Sequence, residues 1–489
     1  MLTRNGTGGK IFAYVWCDVE EYMNPKTNDP PLHAAKILKK YNVPVTYKLV
    51  AEKVRFLKEQ KRQDVISAIN NYCDVGYHTD THSRHPVTFE YISTLDVLNG
   101  AKEIEKRERR GLRELKNTFS RVPSCFGHAG LQFAPHYHPW LKKVGIPVYL
   151  DETKTVNMGP RPYWYCGILS LTVSCYSKNF ICFDYTYRTP DGNLKLKKRF
   201  KTIHDRLKKQ GGGVISIEWH THTAVNKVFW DRLNFANGRN TPKEKYVRSK
   251  EHSPRVKKRA FEDFERFVKF VSSFEDVEFI SASDARRIYQ RKLKIVLGIE
   301  QIREIARTIS GSNKISYLKL WDEYISPAQA FGALTQFIAS YSKTKRLPKR
   351  AVISEPLGPM APFKAKTRTR KLSLSDLLSA AEKVSRTMEK EGYMPSSIAI
   401  GNSAELAPSD FLATLAHLTM LLIARKPAGE YVSLQRASMI LGEKFVDSTY
   451  FFERASRWRI LPRRFKAPKI LEQTRLQTWT LVPAVPKVG

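Results

Sequence analysis

The chain is short of long apolar runs. No stretch approaches the roughly 20 residues needed to cross a bilayer, and the run Ile11–Cys17 is short and ends in carboxylates. A membrane-spanning segment is not expected. Residues Met1–Lys10 are polar and contain glycine, with no basic segment leading into an apolar core. No secretory leader is read there, and a cytoplasmic location is expected. Cysteine is sparse: six residues, Cys17, Cys73, Cys125, Cys166, Cys175 and Cys182, none in a Cys-x-x-Cys pair. Reduced, mostly buried thiols are expected rather than a disulfide framework. Acidic residues are also in deficit, 47 against 83 Lys+Arg, for a net charge of +36. Such a surface attracts polyanions (nucleic acid, acidic lipid or anionic glycan) without choosing among them. A solvated basic surface is the plainer reading.

What is present describes a folded chain. Hydrophobic residues make up 42% and aromatics 11% of 489 residues, enough for two or more domains with their own cores. The first part alternates between strand and helix patterns. Ile11–Cys17, Val43–Leu49, Asp74–Tyr77, Ser124–Phe126, Pro147–Leu150, Val214–Trp219 and Val277–Ser281 read as strands. Leu32–Tyr41, Lys61–Tyr72, Leu95–Thr118, His138–Val144, Lys195–Gln210 and Phe261–Ser273 read as helices. This alternation predicts an α/β barrel or an open parallel sheet. Asn237–Val256 reads as a polar, basic loop. The expected division is a barrel over 1–290, a basic helical connector over 291–320 and a mainly helical domain over 321–489. The last part carries an internal similarity. A helix from Ser326-Pro327 ends at Leu347-Pro348 before Ala351–Ile353, and a helix Leu374–Glu391 ends at Met394-Pro395 before Ile398–Ile400. Ile460-Leu461-Pro462 reads as a third, degenerate turn. Repeated units of this kind stack into one interaction surface; a plain helical domain explains the pattern as well.

Three sequence pieces carry chemistry. In Gly76-Tyr77-His78-Thr79-Asp80-Thr81-His82-Ser83 two imidazoles lie four apart just after a predicted strand, a spacing that lets both reach one ion. In Trp16-Cys17-Asp18-Val19-Glu20-Glu21 two carboxylates leave the sheet at the end of a buried strand, where barrel enzymes place their catalytic groups. One carboxylate can ligate the metal while the other takes a proton from a water whose pKa the metal lowers from ~16 to about 7. Two His and one carboxylate, with open positions, form the layout of a catalytic zinc. In Val214–His222 a third buried strand delivers His220, placed as a general acid for a leaving amine, with His222 the competing choice.

These three pieces, in this order, resemble the polysaccharide deacetylase superfamily, the NodB-homology or family 4 carbohydrate esterase domain, over roughly residues 10–290. The resemblance implies a distorted (β/α) barrel. It implies hydrolysis of an N-acetyl or other acyl group on an amino sugar, assisted by one divalent metal ion, zinc by preference. It implies Asp18 as base, Glu20, His78 and His82 as metal ligands and His220 as acid. The chain departs from the family in two places. Asp18-Val19-Glu20 stands where two adjacent aspartates are usual, so the division of base and ligand between Asp18 and Glu20 stays open. Ser124-Cys125-Phe126-Gly127-His128 puts Gly127 where an arginine normally orients the base; Arg121-Val122-Pro123 is the other alignment. Backbone N–H groups near Gly127 and a polar role for His128 are expected to assist the oxyanion. Tyr77, Trp140, Trp164 and Trp219 are expected to line a sugar site or to pack in the core. The C-terminal part resembles, more weakly, pseudomurein-binding repeats of archaeal cell walls, with Leu374–Ala424 the best copy. The competing function is a binding protein on the same fold, holding nucleic acid or an acidic glycan through its basic surface.

Overall fold

The computed structural model describes residues 10–487 except 131, 174–176, 293, 322, 365–368, 403 and 428. Cys175 and part of the basic cluster Lys364–Lys371 therefore lie outside the described residues, as do residues 1–9.

The first strand explains the architecture. All nine residues of β1 (Ile11–Val19) are buried, which requires cover on both faces of the sheet. β1 pairs in parallel with β2 (Thr46–Leu49) on one side and β9 (Gly213–His220) on the other. The sheet continues in parallel from β2 to β3 (Asp74–Tyr77), β4 (Cys125–Gly127), β5 (Val148–Asp151) and β7 (Ile168–Thr172). Beyond β9 lies β8 (Phe180–Cys182), and β10 (Val277–Ile280) also joins β1. β6 (Tyr163–Tyr165) turns back antiparallel on β7, and Val482–Pro483 pairs with β6. The result is a curled, parallel-rich half-barrel, the α/β architecture expected from the sequence. The short strands β6, β7 and β8 were not read from the sequence, because three to five residues give too little periodicity. Gly211 and Gly212 take positive φ before β9 and Gly213 does at its start, a turn that side chains would strain.

Helices cover the sheet as their apolar spacing requires. Val97–Phe119 is capped by the Asp96 carboxylate, which accepts from the Asn99 amide. From this helix Glu108 reaches β3. Its carboxylate accepts from the Tyr77 hydroxyl at 2.5 Å and the Asp80 amide at 2.8 Å, bracing the segment that carries His78 and His82. Burial pushes the Glu108 carboxyl up to about 7. The folded state then holds this proton more tightly than the unfolded chain, so its stabilising contribution is complete below about pH 4 and is lost as pH rises through 7. Glu108→Gln keeps an acceptor and removes the charge. It is expected to raise the melting temperature at pH 8 and leave it nearly unchanged at pH 4; equal effects at both pH values would contradict the assignment.

A second core forms from residues 297–432, joined by Trp479. The span read as a helical connector contains a strand, Ile295–Gly298, and a helix, Ile299–Ser310, whose Ile302, Ile305 and Ile309 enter this core. The order strand, helix, hairpin, helix, strand occurs twice. It runs first from Ile295–Gly298 to Arg350–Ile353, then from Lys371–Ser373 to Tyr431–Ser433, and the end strands of each unit pair antiparallel. Phe331 and Phe411, from the second helix of each unit, pack with ring centroids 5.7 Å apart. The repeat thus begins one helix earlier than the sequence similarity placed it, because proline follows more than one kind of helix end. Ile460-Leu461-Pro462 belongs to neither unit. The segment after 440 returns to the barrel, where Leu441, Phe451, Ile460, Leu461, Ile470 and Leu481 join the first core. Among the described residues no helix is long and apolar enough to cross a membrane.

Candidate metal and catalytic site

The carboxyl ends of β1, β3 and β9 meet in one place. β3 ends at Tyr77, and the chain then turns with positive φ at Thr79 and again at His82. These turns bring both imidazoles toward β1. The Nε2 atoms of His78 and His82 lie 3.5 Å and 3.0 Å from Glu20 Oε2. Among the described residues, Glu20, His78 and His82 form one of three groups whose donor atoms could share an ion.

The surroundings fix these donors. His78 Nδ1 lies 2.8 Å from the Gly127 carbonyl, which accepts its proton and leaves Nε2 bare on the Glu20 side. His82 Nδ1 lies 2.6 Å from the Ser83 hydroxyl, which donates on to Asp231 at 3.1 Å. The Trp230 indole donates to Glu20 Oε1 at 2.8 Å. Burial would raise the Glu20 carboxyl, but the His82 and His78 imidazoles outweigh it and hold it well below the usual range. Burial pushes His78 down, with Lys48 adding to it. Burial also works against a proton on His82, and the Glu20 charge overcomes it and raises that imidazole. Buried donors that converge, each oriented from behind, fit one divalent ion. The other two groups share Asp18, one with Glu218 and His220 and the other with His78 and Glu152. The Lys48 ammonium contacts both Asp18 and Glu152, so the last of these groups already holds a cation.

Asp18 itself stands between that lysine and His220. Its Oδ1 is 3.1 Å from Lys48 Nζ, and its Oδ2 is 3.3 Å from His220 Nε2 and 3.7 Å from His78 Nε2. Lys48 is fully buried, pairs closely with Glu152 and lies over the Trp16 ring. Burial opposes its charge, yet Asp18 and Glu152 together raise its pKa. His220 Nδ1 lies 2.7 Å from Asp184 Oδ2 and its backbone amide donates to Asp184 Oδ1 at 2.9 Å. Burial alone would lower His220; Asp184 and Glu218 override it and hold the imidazole well above its ordinary value. Burial raises Glu152 to about 7 and Glu218 to about 8.

The absence of an arginine at 127 now has a physical reason. A Cβ at Gly127 would lie 2.8 Å from Lys48 Nζ and closer still to its side chain. A basic group from β2 fills the space that a side chain from β4 would need. The sequence reading missed Lys48, Asp184 and Trp230. A lysine inside a buried strand was a legible signal, and Asp184 lies two residues past β8 as Asp18 lies near the end of β1.

The remaining expected residues divide. His222 is buried with neither ring nitrogen hydrogen-bonded, and its Nδ1 is 3.7 Å from Glu20 Oε1. Burial lowers it to about 4, so it stays neutral. His128 is likewise lowered by burial, to about 3, and packs among Phe89, Phe126 and Tyr137. Trp219 is buried against Phe183, Phe261 and Phe264, and Tyr77, Trp140 and Trp164 are also buried in the cores. These four rings therefore pack inside the protein and do not line an open sugar site. Rings partly open beside the site are Phe229, with its edge against His220 and His222, and Trp458, against His82.

No protein-family model matches the chain, and no curated protein matches it. Solved structures do. A protein from Pseudomonas aeruginosa assigned to the polysaccharide deacetylases is 13% identical, covering 57% of this chain and 91% of that one, with a TM-score of 0.38. One from Mycobacterium smegmatis, assigned likewise, is 15% identical, with 60% and 96% covered and a TM-score of 0.37. The PuuE allantoinase is 12% identical, with 57% and 90% covered and a TM-score of 0.38. None of these three matches bears on the resemblance of the C-terminal units to pseudomurein-binding repeats.

Proposed function

We propose that the chain is a metal-dependent hydrolase that removes an N-acetyl or other acyl group from an amino sugar or glycan. The observation that carries this reading is the convergence of Glu20, His78 and His82 beside the Asp18–His220 pair. Zinc is the ion that two imidazoles and a carboxylate favour. Such an ion supplies Lewis acidity toward an acyl carbonyl.

The protein's own groups divide the proton work. Asp18 Oδ2, beside the ligand His78 at 3.7 Å, is the base that takes the proton of the attacking water. Lys48 compensates the buried charge of Asp18 and fixes its carboxylate. His220, protonated by virtue of Asp184, gives its proton to the departing amine. Trp230 and the Gly127 carbonyl keep Glu20 and His78 aimed while this happens.

The pH dependence follows from His220. A raised pKa keeps the acid charged at neutral pH, so on the alkaline side activity falls when pH rises past that raised value. Asp184→Asn is expected to move the alkaline limb of kcat/KM to lower pH, with the acidic limb unchanged; an unmoved alkaline limb would remove His220 as the acid. The function itself is tested by acetate release from chitooligosaccharides by the zinc-reconstituted protein. Metal-dependent release that disappears in His220→Ala supports the reading. Bound metal with no acyl release from any N-acylated amino sugar would end it.

A further inference from the structure

The mouth of the metal site is finished by a segment from the far end of the chain. Residues 454–466 contain Arg454, Arg457, Arg459, Arg463, Arg464 and Lys466 and no Asp or Glu. Ala455, Ile460 and Leu461 anchor the segment in the barrel core. The amides of Asn237 and Gly238 donate to the Arg459 and Ile460 carbonyls, both at 2.9 Å, tying it to the loop after Trp230 and Asp231. Trp458 meets the ligand His82 edge-on, 5.9 Å between centroids. Gly130 lies beneath the indole. It takes φ +69, and a Cβ there would lie 2.6 Å from the Trp458 ring. The close fit places Trp458 as a wall of the site, with exposed Arg457 and Arg459 on either side of it in sequence.

Three more arginines are close in sequence to residues of the site. Exposed Arg84 is two residues past His82, and exposed Arg232 follows Asp231, the partner of Ser83. Arg188 stacks 3.8 Å over the ring of Tyr185, the neighbour of Asp184. The Tyr185 hydroxyl is buried and unpartnered. Among the described residues, Arg84, Arg188, Arg232, Arg457 and Arg459 have no carboxylate within ion-pair distance. Some arginines elsewhere on the barrel do find one: Arg55 with Asp80 at 2.6 Å, Arg62 with Asp64 at 2.8 Å, Arg107 with Glu103 at 2.6 Å. Exposed guanidinium groups without an acidic partner thus flank the partly open Trp458 ring in sequence, while Arg188 is held by the Lys227 carbonyl and His252. Guanidinium forks match oxyanions, and aromatic faces suit the apolar faces of sugars.

We propose that this mouth selects an anionic glycan, an N-acylated amino-sugar polymer carrying an oxyanion, carboxylate or sulfate, on or next to the sugar that reacts. Arg457 and Arg459 read the charge and Trp458 takes the sugar ring. The proposal rests on the amino-sugar reading of the metal site. It is tested by binding, so that it can fail separately from turnover.

Calorimetry on the full-length, zinc-loaded Asp18→Asn protein would compare three N-acetylated hexasaccharides. These are neutral chitohexaose, heparosan (carboxylate) and keratan sulfate (sulfate). At least one anionic sugar is expected to bind about tenfold or more tightly than chitohexaose. Raising salt from about 50 mM to about 500 mM should close most of the gap. Arg457→Gln/Arg459→Gln should bring the ratio of affinities toward one while metal content stays at the parent level. The stronger of the two anionic sugars names the oxyanion. Equal affinity for neutral and anionic sugars, a preference unmoved by the double variant, or tighter binding of a single-stranded oligonucleotide than of every sugar would each overturn the proposal. If the anionic preference holds while the wild type releases no acetate, the selection stands and the deacetylase reading falls.

Discussion

Lys48→Ala is expected to lower kcat by about a thousandfold and to destabilise the fold by about 3–5 kcal/mol. Both effects have one source. Lys48 is the ammonium between two buried carboxylates, 3.1 Å from Asp18 and in close contact with Glu152. Its removal leaves negative charges in the barrel without a partner, and charge burial without compensation is among the larger single-site penalties. The base would lose its anchor in the same step. Steady-state kinetics and urea unfolding separate the two losses. A rescue makes the prediction specific. Gly127 is held to glycine by the lysine itself, since a Cβ there would reach the lysine side chain, and its backbone is not in the left-handed region. Gly127→Arg alone should destabilise, whereas Lys48→Ala/Gly127→Arg should recover at least about tenfold in kcat over Lys48→Ala. A Lys48→Ala protein with wild-type kcat would remove Lys48 from the mechanism.

Asp18 and Glu20 should separate by phenotype. Asp18→Asn is expected to lower kcat by about 10²–10⁴ while metal content is retained, as loss of a proton acceptor requires. Glu20→Gln is expected to lose the metal first, with metal affinity falling by at least 10–100-fold. The geometry behind this division is unequal. Glu20 Oε2 faces both imidazoles, whereas Asp18 faces Lys48 with one oxygen and His220 with the other. Metal analysis beside single-turnover kinetics reads both effects. Metal loss in Asp18→Asn with metal retained in Glu20→Gln would exchange the two roles.

The sequence disclosed the barrel because its information is local. An apolar run such as Ile11–Cys17 names a doubly covered strand, and a carboxylate or imidazole at its end names a site. That logic reaches Asp18, Glu20, His78, His82 and His220. It reaches Asp184 too, where the three-residue β8 was too short to notice. Lys48 was a buried cation hidden in a strand assigned on its neighbours alone. Trp230 orients Glu20 from 210 positions away, and Trp458 meets His82 from farther still. No periodicity or spacing encodes such pairs; they exist only once the sheet curls and the C-terminal segment returns to it. The aromatic residues show the opposite failure. Trp140, Trp164 and Trp219 are conspicuous in sequence, yet large rings are mostly core material, and the rings that border the site are Phe229 and Trp458.

The central claim is that Glu20, His78 and His82 hold one functional metal ion. The most direct test is the metal content of the purified, zinc-reconstituted protein, measured beside His78→Ala/His82→Ala. The account predicts about one equivalent in the wild type and near none in the double variant, with both proteins folded by circular dichroism. A wild-type protein that takes up no metal, or a double variant that keeps its equivalent, would contradict it.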